Sequence, residues 1–407
     1  EHEPDLKVAL CEAGISGIGA SGRNGGWCMG MAEGVDPLLN NPETREGGLA
    51  LSRALFECVD EVARVVALEA IDCHFEKGGV LEVAQRLGDK EEELARLAEY
   101  ADWGLSAEDY QWLSEDELKH RFQVPSAKGA IYSPHVAAIQ PARLVRGLAR
   151  AVESRGGHIF EDSRVQHVDE GRVITEKGSI RADWVVLATE AYTPRIPGRK
   201  RRMVPMHSMM VATEPLSAGL WDEIGLKERE TFAGLQRIAT YGQRTADDRI
   251  AYGTRGVYYY GSSIRESFSQ NDPLFEQVRL SLVSMLPQLR DVKITHRWGG
   301  PLGLPRNQRP GVSLDRDKRL AVAGGYLGEG VGASNLVGRI LSDLLLDRET
   351  ERVHLPWVGE DFPRWEPEPF RWLGITAVRK MMDRMDQNEA KGRSAGRLME
   401  SVLDWIG

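Results

Sequence analysis

The stretch Glu12-Ala13-Gly14-Ile15-Ser16-Gly17-Ile18-Gly19-Ala20-Ser21-Gly22-Arg23-Asn24-Gly25-Gly26-Trp27 decides how this chain is read. It follows a short apolar strand, Lys7-Val8-Ala9-Leu10-Cys11, and holds the pattern G-x-G-x-x-G at 17–22. Taken alone, that pattern suggests the first turn of a dinucleotide-binding fold. Two features count against it. Such a fingerprint opens a helix whose N-terminal amides hold a pyrophosphate, yet Arg23-Asn24-Gly25-Gly26 sustains a helix poorly. The acidic residue expected about 20 residues after the glycines comes before them, as Glu12. A carboxylate at a strand end suits a ribose hydroxyl. The stretch therefore reads as the second strand of such a fold, followed by a later cofactor loop over 19–26. The simpler alternative is a glycine-rich turn with no ligand. On the first reading about 30 further residues are expected before Glu1, carrying a first strand and its own G-x-G-x-x-G. Without them strand 7–11 is expected to have an unpaired edge.

A second glycine-rich stretch, Gly324-Gly325-Tyr326-Leu327-Gly328-Glu329-Gly330-Val331-Gly332, follows an apolar strand at 319–323 and precedes a helix at 333–346. Residues 157–190 read as a packed β unit ending in Asp183-Trp184-Val185-Val186-Leu187-Ala188-Thr189, a buried strand of the parallel-sheet kind. Segments within 203–300 alternate like strands separated by glycine and Asp-Asp turns, which predicts an antiparallel sheet. Helical spacing is seen at 43–68 and 141–155, and a charge-rich helical region spans 88–120. An amphipathic helix near 369–386 closes the chain. A β-rich middle between two segments of parallel-sheet character predicts two interleaved domains.

The bulk composition narrows the function. The 407 residues are 42% apolar and 28% charged, as in an ordinary globular protein. A net charge of −9 excludes a general nucleic-acid binder. The basic run Arg199-Lys200-Arg201-Arg202 reads as a solvated turn. Cys11, Cys28, Cys58 and Cys73 form no C-x-x-C pair and no metal-ligand spacing, so no metal site is expected and the location reads as cytoplasmic. Cys11, in an apolar strand, is expected to be buried. No apolar run approaches the roughly 18 residues that span a bilayer.

Glu12 with Gly19-Ala20-Ser21-Gly22-Arg23-Asn24-Gly25-Gly26 resembles the E…G-A-S-G-R-N-G-G stretch of the FAD-dependent glycine/D-amino-acid oxidase superfamily. Residues 323–332 resemble that family's second flavin loop. Val185-Val186-Leu187-Ala188-Thr189-Glu190-Ala191-Tyr192 resembles one of its nucleotide-domain strands. Tyr241…Arg244-Thr245-Ala246-Asp247-Asp248-Arg249 and Trp298-Gly299-Gly300 resemble its gamma-glutamylputrescine oxidase-like branch. The resemblance covers about residues 5–348 and lacks the family's first fingerprint strand. It implies an α/β (α+β) architecture in which a Rossmann-like FAD/NAD(P)-binding domain (1–78, 131–200, 311–350) interleaves with an antiparallel-sheet substrate domain (79–130, 201–310), followed by a helical tail (351–407). It implies non-covalent FAD, because no cysteine occurs near 298–301, where covalent members carry one. Glu12 would meet the ribose. Gly19, Ala20, Ser21, Arg23, Asn24, Gly25 and Gly26 would line the pyrophosphate and flavin edge. Val165, Ala188 and Thr189 would lie on the nucleotide side. Gly325, Tyr326, Gly328, Gly330 and Val331 would approach the flavin ring.

The implied activity is oxidation of the C–N bond of a small amine, such as an amino acid or a gamma-glutamyl polyamine, to an imine. Oxygen or another acceptor would then reoxidise the flavin. A D-amino-acid or glycine oxidase, or a flavoprotein-like fold that has lost FAD, are the alternatives. Flavin chemistry of this kind needs substrate orientation rather than a nucleophile. Arg255 is the candidate clamp for a substrate carboxylate, and Tyr241 and Trp298 are candidate pocket walls. Ala251 stands where some members carry an oxygen-activating lysine. His207 and His296 read as ordinary strand residues.

Overall fold

The computed structural model describes residues 3, 5–86, 88–359, 361–389 and 393, and its strands fall into two groups. In the first group the strands are short and parallel. Ala9–Cys11 pairs with His158–Phe160, and Val185–Leu187 pairs with Leu320–Gly324. Gly311–Asp315 lies antiparallel on the far side of Leu320–Gly324. Val165–Asp169, Arg172–Thr175 and Gly178–Arg181 form their own antiparallel sheet. Among the described residues Ala9–Cys11 and Val185–Leu187 each have one edge that no strand pairs. The open edge expected at the first strand is therefore present.

Burial departs from the sequence reading at the same place. Leu10 is 44% exposed and Val186 41%, although the second strand read as buried and the first as apolar. Cys11 is only half-buried, which corrects the buried thiol expected. A parallel strand is hidden on both faces only where neighbours and helices flank it fully, and each of these strands has a single neighbour.

The second group is one eight-stranded sheet, in the order Ile294–Leu304, Val204–Thr213, Ile250–Tyr258, Thr240–Arg244, Thr231–Gly234, Val80–Ala84, Gly129–Ser133, Gln111–Ser114. All its pairings are antiparallel except Thr231–Gly234 with Val80–Ala84. Gln111–Ser114 corrects the continuous helical reading of 88–120. Two helices, Asp89–Trp103 and Glu115–Arg121, flank it there, and the second starts at a capping box between Ser114 and Glu117. One face of the sheet is sealed by Leu81, Phe122, Val211, Phe232, Tyr252 and Phe275. Helices Arg45–Leu68 and Gly330–Leu345 bury Leu51, Leu55, Leu336 and Ile340 in a second core.

The chain end docks on this frame by charge. On helix Phe370–Glu389, Asp386 accepts the amides of Arg237 and Ile238 at 3.0 Å each and Nη1 of Arg86 at 3.2 Å. Glu389 takes Nη1 of Arg86 at 2.6 Å. The basic run is not a solvated turn. Arg199 pairs with Asp361 at 3.2 Å, and Nε of Arg201 donates to the Trp365 carbonyl at 2.6 Å, so the run seats the segment ahead of the tail helix. Of the expected tail 351–407, residues 360, 390–392 and 394–407 lie outside the described residues.

Asp386→Ala strips two amides and a guanidinium of their acceptor, and should lower the free energy of unfolding by about 2–3 kcal/mol. Asp315→Ala, at the surface pair with Lys318, should shift it far less. Urea midpoints of the two variants decide this, and equal shifts would remove the docking role.

Candidate active site

The first glycine stretch forms a single helical turn, Ala20–Arg23, and then stops. Asn24 ends it: Nδ2 donates to the carbonyls of Ala20 and Ser21 at 3.1 and 3.0 Å, and Oδ1 accepts the Gly26 amide at 2.8 Å. Gly17 and Gly22 touch back to back, since a Cβ on Gly22 would lie 2.2 Å from the Gly17 oxygen. Glu12 follows the strand, and its Oε1 accepts the Gly14 amide at 2.8 Å. The stretch after it is tied to the neighbouring strand end, with Ser16 N donating to Glu161 Oε1 at 2.8 Å.

The loop is then stitched to the eight-stranded sheet. Tyr241 and Gln243 share a face of strand Thr240–Arg244, because side chains alternate along a strand. Gly25 lies over the first and Gly26 over the second. A Cβ on Gly25 would come 2.6 Å from the Tyr241 ring, so only glycine fits. Nε2 of Gln243 donates to the carbonyls of Gly25, Gly26 and Ile139 at 2.7, 3.1 and 3.1 Å. Nε1 of Trp298 donates to the Arg23 carbonyl at 2.9 Å. Arg23 in turn donates to the carbonyls of Glu266 and Gly299 at 2.6 and 3.2 Å. The Tyr241 hydroxyl bonds to Ser208 Oγ. Gln243 was not singled out in the sequence, although it lies inside the Tyr241…Asp247 stretch quoted above.

The second glycine loop turns through left-handed backbone at Gly325, Leu327 and Gly328, with φ of +77, +52 and +111°. Helix Gly330–Leu345 starts directly behind it. A Cβ on Gly332 would fall 1.9 Å from the Met29 carbonyl, so this helix start abuts the strand leaving the first loop. Gly330 sits against Tyr326, and Val331 packs on the core that holds Cys28 and Val59. Ala188 and Thr189 follow Val185–Leu187, with Thr189 Oγ1 bonded to Thr193 at 2.9 Å. Val165 begins the separate three-stranded sheet, beside a break in register.

Between the first loop and the sheet lies a cavity of about 600 Å³. Strand register makes its floor. His296, Ala212, Ala251 and Gln243 stand side by side across four strands, and the two alanines leave the space. Phe268 and Trp298 also line it. Three arginines belong to its lining: Arg23, committed as above, Arg249, and Arg297, which the register sets opposite Val211 of the far-face core. Arg249 is held by Asp247 at 2.7 Å and by Thr213 and Thr295. Arg297 donates to the Ile294 carbonyl at 3.3 Å and makes no ion pair with an acid among the described residues. The backbone of Arg255 lies in strand Ile250–Tyr258, and its side chain is outside the described residues.

His207, Cys28 and Cys58 are structural. His207 is fully buried, with Nδ1 facing the Val257 carbonyl at 3.3 Å and Nε2 accepting the Arg265 amide at 3.0 Å. Burial pushes its pKa down to about 4, so it stays neutral. Burial pushes the Cys28 thiol up to about 12 and Cys58 up to about 11, which leaves both unreactive at neutral pH. No cysteine lines the cavity, and no cluster of metal-binding side chains occurs among the described residues. No helix among them is long and apolar enough to cross a membrane.

A strand-end carboxylate, two loops whose packing excludes side chains and a helix N-terminus facing the first loop's exit strand fit a flavin dinucleotide. Glycines let amides approach phosphate and ring oxygens, and the helix start favours negative charge. Known proteins agree. The chain is similar to the probable oxidoreductase OrdL of Haemophilus influenzae, 27% identical over 364 residues (87% of this chain, 80% of that one). It is also similar to gamma-glutamylputrescine oxidoreductase of Escherichia coli, 27% identical over 370 residues (88% and 83%). Its fold matches the crystal structure of glycine oxidase from Geobacillus kaustophilus with a TM-score of 0.71, at 19% identity, covering 90% of this chain and 94% of that one. Residues 2–344 match the family described as FAD dependent oxidoreductase, and the chain belongs to that family of FAD-binding oxidoreductases.

Proposed function

We propose that this chain oxidises the C–N bond of a small amine bearing a carboxylate, giving an imine that water hydrolyses to a carbonyl compound. What supports this is the cavity between the glycine loop and the sheet, with Arg23 and Arg249 among the residues around it and the small Ala212 and Ala251 on its floor. FAD supplies the acceptor for the hydride equivalent leaving the carbon beside nitrogen. Glu12 would bind the ribose, and Gly19, Ala20, Ser21, Arg23, Asn24, Gly25 and Gly26 would line the pyrophosphate and flavin edge. Gly325, Tyr326, Gly328, Gly330 and Val331 would meet the ring, and Val165, Ala188 and Thr189 the nucleotide end. With every cysteine of the chain away from the cavity, FAD is held without a covalent bond.

The cavity residues orient and shield. Trp298 and Phe268 keep water from the reacting carbon, and the small Ala212 and Ala251 admit the amine. Arg255 is the candidate clamp, since a planar guanidinium fork can hold a carboxylate by two parallel bonds. The relatives include proteins named for gamma-glutamylputrescine and for glycine, both of which carry a carboxylate. An amino-acid oxidase reading is therefore the nearest variant of this one. The unpaired thiols support a cytoplasmic site of action.

Anaerobic flavin bleaching tests the substrate class. Amines with a carboxylate, such as glycine, sarcosine and D-alanine, should bleach the visible bands faster than the same amines without it. Arg255→Lys should weaken the carboxylate substrates by about 10- to 100-fold in kcat/KM and spare the others. Equal bleaching by both sets would overturn the anionic half of the proposal.

Gln243 should matter to cofactor binding without touching substrate. Gln243→Ala leaves three carbonyls without their shared donor, each worth about 1 kcal/mol, and frees the loop from the sheet. The variant should fold and lose FAD at least about tenfold more readily, as read by flavin content after dialysis. Full retention in a folded variant would mean the stitch is not needed.

A further inference from the structure

Glu190 is an unexpected residue where it stands. It opens a short 3-10 helix, Glu190–Arg195, after strand Val185–Leu187, with φ of +42° in the left-handed region that a residue with a Cβ disfavours. Its carboxylate is out of contact with solvent. Oε1 accepts the Tyr326 amide of the second glycine loop at 2.8 Å. Oε2 has no hydrogen-bond partner among the described residues, and it lies against Gly303 of the sheet's edge strand, where a Cβ would be 1.9 Å away. Gly324, one residue before the loop's left-handed turn, also faces the carboxylate, at 3.6 Å from where its Cβ would stand. One acid thus joins three elements: its own helix, the second glycine loop and the end of the sheet.

A buried carboxylate with this environment is easily protonated, because desolvation disfavours its charged form. The Tyr326 amide opposes that effect, and burial still pushes Glu190 up to about 7. The groups facing it bring no compensating charge. The glycine loop contributes the buried Tyr326 hydroxyl and Glu329, which is turned to the Glu33 amide. The edge strand contributes Gly303, and the segment before Val204–Thr213 contributes Met203. On its own helix Arg195 is taken by Glu266 at 2.7 Å.

We propose that Glu190 is a positioning residue that sets how tightly FAD is held: neutral, it lets the second glycine loop seat the anionic cofactor, and ionised, it opposes that seating. The proposal rests on the second glycine loop being a flavin loop, as read above. The sign follows from linkage. FAD carries a negatively charged diphosphate, so bound FAD disfavours the ionised acid. Affinity must then fall as pH rises through the acid's own titration. The group also reduces native stability as pH climbs from the unfolded carboxylate range towards 7, and its contribution is flat above that.

The test is FAD release from the holoenzyme at pH 6.0, 7.0 and 8.5, for wild type and Glu190→Gln. The wild type should hold FAD about tenfold less tightly at pH 8.5 than at pH 6.0, relative to the variant, which corresponds to a one-unit shift of the acid on binding. Glu190→Gln keeps an oxygen for the Tyr326 amide and should hold FAD with a flatter profile. Glu190→Gly, which suits the positive φ, is the second variant should the glutamine protein fail to fold, and it should show the same flattening. Superimposable profiles for wild type and a neutral variant would overturn the role assigned to Glu190. Complete loss of flavin from wild type and variants at every pH would overturn the cofactor reading itself, and this inference with it.

Discussion

One side-chain nitrogen, Nε2 of Gln243, gathers the carbonyls of Gly25, Gly26 and Ile139, and the rest of the site depends on that convergence. Backbone carbonyls buried without donors are costly. The sheet residue therefore fixes where the glycine loop can lie. With the loop fixed, Gly25 must pass over the Tyr241 ring and Arg23 must meet Trp298 and the wall at Glu266. The cavity is what remains between these parts.

The same strand register that presents Gln243 also sets the cavity's chemistry. Ala212 and Ala251 fall between His296 and Gln243 on one face, so two methyl groups define the floor. Cations outnumber anions around it, and its arginines are tied to backbone carbonyls or to Asp247. The second glycine loop is held from the opposite direction, by a carboxylate rather than an amide, at Glu190. The first glycine loop and the cavity beside it are thus parts of one hydrogen-bonded frame.

Much of this was legible in the sequence wherever the cause is local. Glycines that must take positive φ, helix spacing at Leu51, Leu55 and Val59, and the alternation in the sheet strands all act over a few residues. The unread parts are tertiary. Gln243 and Gly25 are 218 positions apart, and nothing near either residue announces the other. Glu190 looks like any strand-end acid until Gly303 and Tyr326 close on it. Strand Gln111–Ser114 hid in a charge-rich run because only Trp112 and Leu113 signal it. Cys11 and Val186 read as buried from composition, whereas their exposure depends on which neighbours the strands have. The run Arg199-Lys200-Arg201-Arg202 looked solvated because its partners lie some 160 residues later.

Hydrogen exchange of the holoenzyme, compared with flavin-stripped protein, tests the central claim most directly. If the two glycine loops and strand Thr240–Arg244 form one cofactor frame, FAD should slow exchange together at residues 14–26, 240–244 and 324–332. Protection confined to a single loop, or absent from all three segments, would contradict the account.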